Sequence, residues 1–81
     1  MNSQTLYKIL ANGIPNADLK IDGGEGKYSV SVVCQVFEGL TLVKRQQFIY
    51  QFLNDYINSG EIHAVTMQLK TPSEKLVSES T

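Results

Sequence analysis

The feature that most limits the fold of this chain is one long amphipathic run set between two alternating ones. From Thr41 to Gly60 the sequence reads TLVKRQQFIYQFLNDYINSG. At 100° per residue, Leu42, Ile49, Phe52, Leu53, Tyr56 and Ile57 fall within an arc of roughly 140°, opposite Lys44, Gln47, Gln51, Asp55 and Asn58. Thr41 stands as N-cap and Ser59-Gly60 closes the run, so the spacing predicts a helix of about 17 residues. Before it, KYSVSVVCQVF sends Tyr28, Val30, Val32, Cys34 and Val36 to one side of a strand, against Ser29, Ser31 and Gln35. After it, IHAVTMQLK sends His63, Val65, Met67 and Leu69 to one side, and Ile62, Ala64, Thr66, Gln68 and Lys70 to the other. A helix joining two neighbouring strands is a right-handed crossover, which makes those strands parallel.

The remaining pieces complete the order. Ser3 reads as the N-cap of a helix over residues 4–12, with Leu6, Ile9 and Leu10 on one face and Gly13 ending it. Pro15 and Asn16 make a turn. In ADLKID, Ala17, Leu19 and Ile21 alternate with Asp18, Lys20 and Asp22, as in a half-buried strand. GGEGK is a glycine-rich hairpin loop, so the first two strands run antiparallel. Thr71 as N-cap, Pro72 at the first helical position and Glu74 at the third form a capping box for a last short helix. The expected architecture is α+β: a three-stranded mixed sheet with helices on one face, in the order α-β-β-α-β-α. It forms a single domain over 1–81, with 1–3 and 76–81 frayed.

Composition excludes several classes of function. A chain of 81 residues with 42% hydrophobic and 19% charged residues is a small globular domain, near the lower size for one core. It contains neither an apolar run of membrane-spanning length nor a signal pattern at MNSQTLYKIL. The lone cysteine, Cys34, can close no internal disulfide, and a cytoplasmic setting is the expectation. A net charge of −1 is poor footing for strong nucleic-acid binding. Catalysis has little support, because one histidine stands without a cysteine or a second base at plausible distance. The glycine loop is no phosphate cradle, since no GKS or GKT follows and the next element is a strand.

Three sets of residues remain as candidates. His63 sits at the mouth of an apolar strand, as either a core-edge ring satisfied by a backbone carbonyl or an exposed ligand. Cys34 falls on the apolar face of its strand and reads as a small buried hydrophobe. Lys44 and Arg45 stand in the first turn of the long helix, where the dipole disfavours cations, and Gln46 falls inside the apolar arc. Such local misfits often mark function.

FEGLTLVKRQQFIY (37–50) followed by IHAVTMQLKTPSE (62–74) resembles the BolA family, especially its IbaG-like bacterial branch. The likeness runs from about Leu6 to Glu74. It is carried by Phe37-Glu38-Gly39, Val43-Lys44-Arg45, Tyr50, Ile62-His63-Ala64 and Thr71-Pro72 in order and at matching spacing. The resemblance implies a fold related to the class II KH domain. It also implies a non-enzymatic adaptor for a monothiol glutaredoxin, in apo form or sharing a [2Fe-2S] cluster, in iron homeostasis and cluster trafficking. Alone, such a chain is expected to be monomeric, with no tightly bound cofactor. His63 matches the family's invariant histidine and so stands as the implied cluster ligand. The second family ligand, a Cys or His of the loop before the central strand, has no counterpart in GGEGKY. Cys34 lies about seven residues further on, roughly 20 Å along a strand, and Glu25 offers only a carboxylate. A weaker cluster is therefore expected, which Cys at Gly26 or His at Lys27 should strengthen. Some bacterial members are DNA-binding regulators of stress and morphology genes. That alternative would employ Lys44, Arg45 and Lys70.

Overall fold

Alternation places Tyr28, Val30 and Val32 on one side of a strand, and that strand becomes the centre of the sheet. In the computed structural model, which describes residues 1–79, the elements are α1 (Ser3–Gly13), β1 (Asp18–Gly24), β2 (Lys27–Val33), a 3-10 turn (Gln35–Phe37), α2 (Leu42–Asn58), β3 (Ala64–Lys70) and α3 (Pro72–Glu79). β1 pairs antiparallel with β2 from Asp18↔Val33 to Gly24↔Lys27. β3 pairs parallel with β2 from Lys27↔Ala64 to Val33↔Lys70, giving the spatial order β1-β2-β3. The mixed sheet and its crossover are those the two sequence periods predict.

The core forms between α1, α2 and one face of the sheet. Leu6, Leu10, Ile49, Leu53, Val30, Val32 and Phe37 are fully buried there, each removal from water worth about 1.5–3 kcal/mol. Phe37, Phe48 and Phe52 extend the cluster edge to face, with ring centroids 6.0 and 5.6 Å apart. Gly13 ends α1 and also admits α2, because a Cβ there would overlap the Phe52 ring.

Four local readings change. The N-cap of α1 is Asn2, not Ser3, its Oδ1 accepting the Thr5 N–H at 2.8 Å. β2 stops at Val33, and the 3-10 turn replaces a period of two with one of three. Cys34 and Phe37 therefore both turn inward, while Val36, expected in the core, is 42% exposed. Leu42, placed on the apolar arc of α2, is 61% exposed, and Phe48 packs against the core instead. Ile62 and His63 exchange sides, because the extended strand begins only at Ala64.

At its far end the sheet is closed by α3, which among the described residues adds none to the core. The Thr71 capping box forms as read: the Thr71 N–H donates to Glu74 Oε1 at 2.8 Å, and the Glu74 N–H donates to Thr71 Oγ1 at 3.2 Å. Lys75 Nζ reaches Asp18 Oδ2 at 3.3 Å. Of the termini read as frayed, the Met1 carbonyl accepts the Tyr28 hydroxyl at 2.9 Å, residues 76–79 are helical, and 80–81 lie outside the described residues. Among the described residues no helix is long and apolar enough to cross a membrane.

Candidate functional site

His63 is placed by its backbone on both sides. The preceding Ile62 is buried, and its N–H donates to the Tyr56 carbonyl at 3.0 Å, tying the loop to the end of α2. The His63 and Ala64 N–H groups both donate to the Gly26 carbonyl, at 2.7 and 3.1 Å. Glu61, two residues earlier, sits 3.9 Å from the Met1 ammonium. With Ile62 turned in and the backbone fixed, the imidazole turns out and is exposed.

The ring rests on the hairpin turn. Gly24 pairs with Lys27, so Glu25 and Gly26 alone make the turn, with φ of 54° and 82°. Two positive φ values identify the tight primed hairpin turn, which is far from the flexible loop that three glycines suggest. Gly26 is buried beneath the imidazole. A Cβ on it would overlap His63 Cδ2 and stand 3.1 Å from Cγ and 3.2 Å from Nε2. Cδ2 is thus the ring atom nearest the turn, and Nδ1 lies on the outward edge. Among the described residues neither ring nitrogen has a hydrogen-bond partner. Of the two readings left open by the spacing, the exposed ring is the one found.

Metal chemistry at this rim is limited by the donors present. Glu25 is exposed in the turn, whereas Cys34 is buried at the opposite end of β2. No group of three or more His, Cys, Asp or Glu side chains converges among the described residues. Among the described residues, His63 is the nitrogen donor at this rim. The turn geometry also changes where a second ligand can be added. Gly26 has no room for a side chain, while Gly24 meets no atom within 4 Å and Lys27 is exposed.

The three cations of the nucleic-acid alternative do not form one patch. Arg45 is held inside the fold, its side chain only 12% exposed. Nε donates to the Leu40 carbonyl at 3.0 Å and Nη1 to the Leu69 carbonyl at 3.1 Å. Nη1 and Nη2 clamp both oxygens of Glu74 at 2.6 and 3.0 Å, and the guanidinium lies 5.8 Å from the Phe37 ring centroid. This bidentate pair ties together the start of α2, the end of β3 and the first turn of α3. It holds the Glu74 carboxyl down at about 2, helped by the Thr71 N–H, and raises the Arg45 pKa further. The misfit at the start of α2 is therefore a structural clamp in the case of Arg45. Lys44 is exposed on α2, and Lys70 lies on the opposite face of the sheet from α1 and α2.

The open sheet face holds a groove of about 480 Å³, lined by Lys20, Ser31, Val33, Gln68, Lys70 and Lys75 among others. It lies at the other end of β2 from His63. No signal in the sequence singles it out.

Comparison with known proteins places this architecture. The BolA-like protein family matches residues 4–74. A protein of the rpoN-murA intergenic region of Acinetobacter guillouiae is 45% identical over 91% of this chain and 89% of its own length. Acid stress protein IbaG of Escherichia coli is 31% identical over 91% of this chain and 88% of its own. Among solved structures, the BolA domain of SufE1 from Arabidopsis thaliana superposes with a TM-score of 0.80 at 29% identity, covering 89% of this chain and 93% of that one.

Proposed function

The chain belongs to the BolA-like family, and we propose that it is a non-enzymatic adaptor that docks a monothiol glutaredoxin, with His63 at the contact. The observation that carries this reading is the outward imidazole: exposed, seated on Gly26, and with both nitrogens available. A neutral ring so held can accept a hydrogen bond from a partner or donate an electron pair to iron without first breaking an internal bond. Apo docking is the primary mode. A [2Fe-2S] cluster shared with glutaredoxin and glutathione would take its one nitrogen ligand from His63. In that role the chain serves iron homeostasis and cluster trafficking. The BolA domain of SufE1 shares this fold.

The test is a titration of glutathione-loaded monothiol glutaredoxin carrying [2Fe-2S], followed by visible circular dichroism. The full chain should change the spectrum and His63→Ala should not. An identical change with the variant would remove His63 from the cluster. Absence of any complex, with or without cluster, would end the adaptor reading.

A further inference from the structure

β3 is an edge strand, and its free edge begins two residues from His63. The Ala64 N–H donates to the Gly26 carbonyl at 3.1 Å, and the Lys70 carbonyl accepts the Cys34 N–H at 3.0 Å. In a parallel pair, the N–H and C=O of one residue point to the same side, and the side alternates along the strand. Ala64, Thr66, Gln68 and Lys70 therefore bond toward β2, and Val65, Met67 and Leu69 face outward. Leu69 confirms the parity, because its carbonyl accepts Arg45 Nη1 from outside the sheet. Among the described residues nothing hydrogen-bonds to the backbone of Val65 or Met67.

The two edges of the sheet differ in chemistry. β1 carries Asp18, Lys20 and Asp22, and charges of this kind normally keep an edge from pairing. From Ala64 to Leu69 no residue is charged and none is proline. Val65 and Met67 are half-buried toward the helices, while Ala64, Thr66 and Gln68 are small or polar and exposed on the open face. An extended segment with apolar residues on one side and polar residues on the other matches both rows.

We propose that β3 is a docking strand: an extended segment of the partner joins it as a fourth strand, bonding to Val65 and Met67 and bringing the partner up to His63. The proposal rests on the adaptor reading and names the surface through which that partner binds. A second copy of this chain is the competing occupant: antiparallel pairing of two β3 strands about Met67 sets Val65 against Leu69, whose carbonyl Arg45 already holds, whereas pairing about Thr66 sets Val65 against Met67 and meets only open groups. The partner strand is preferred because it also brings the partner to His63, two residues from that edge, as the adaptor reading requires.

Amide hydrogen exchange on the full ¹⁵N-labelled chain, with and without glutathione-loaded monothiol glutaredoxin, tests this. Exchange at Val65 and Met67 should slow at least about tenfold on binding, the order set by one new backbone hydrogen bond. Thr66 and Gln68, already bonded to β2, should not change. Met67→Pro removes one outward N–H and leaves the β2 ladder intact, so affinity should fall about tenfold or more with the fold retained. Thr66→Lys puts a charge on the edge without altering the backbone, and should weaken binding even if the proline variant fails to fold. Unchanged exchange at Val65 and Met67, with full affinity for Thr66→Lys, overturns the docking strand and leaves the adaptor standing. No binding by the unmodified chain overturns both. Protection that appears without glutaredoxin and grows with chain concentration gives the edge to a second copy and overturns the partner strand.

Discussion

Replacing Gly26 by alanine isolates the seat of His63. The residue has φ of 82°, where an L side chain costs about 1–2 kcal/mol on backbone grounds alone. The added methyl would also overlap Cδ2 of the imidazole, so the ring must rotate off the turn. At about 4–8 °C per kcal/mol for a domain of this size, the midpoint of thermal unfolding should drop by roughly 4–16 °C. Gly24→Ala is the control, because it lies two residues away in the same hairpin, meets nothing within 4 Å and has no positive φ. Its cost should stay within about 0.5 kcal/mol. Circular dichroism melts of the two variants give the comparison, and the Hδ2 resonance of the single histidine reports whether the ring has moved. If Gly26→Ala melts within about 2 °C of Gly24→Ala, or if Hδ2 keeps its shift, the hairpin does not position the ring.

Other expectations are quicker to check. His at Lys27 or Cys at Gly24 should lengthen the lifetime of a shared cluster in visible absorbance, whereas Gly26→Cys should not, for want of room at that position. The Glu74 carboxylate, ordinarily near 4.5, is held at about 2, so its contribution to stability is complete above pH 4.5 and is lost as pH falls toward 2. The difference in melting temperature between the natural chain and Glu74→Gln should accordingly be largest near neutrality and shrink through that window. Equal differences at pH 6 and pH 2 would refute it. Cys34 should resist a thiol reagent in buffer and react fully in denaturant, since it is buried. Leu53→Ala should cost about 2–5 kcal/mol in urea melts and Val43→Ser less than about 0.5, because the first is fully buried and the second exposed.

Periodicity and capping chemistry were legible because they act within a few residues. Thr41 and Thr71 cap the helices that the sequence assigns to them, and the crossover length dictates the parallel pair. The site was harder to read. Strict alternation puts His63 inside with Val65 and Ile62 outside, and the fold reverses this. The Gly26 carbonyl draws two successive N–H groups, which interrupts the extended backbone just before β3. That contact joins residues far apart in sequence, beyond the reach of a local pattern. Arg45 is similar: its partners Leu69 and Glu74 are 24 and 29 residues away. The signal for the seat was present in GGEGK, but a count of glycines does not distinguish a loose loop from a two-residue turn with a ring laid on it.

The shared carbonyl of Gly26 also joins a local pairing to a distant one. The β1–β2 hairpin closes over neighbouring residues, whereas β3 returns across the whole of α2 to its register. Without that second pairing the imidazole has no platform and the strand beside it has no defined edge. A binding partner that engages both would therefore discriminate finished molecules from chains still in transit.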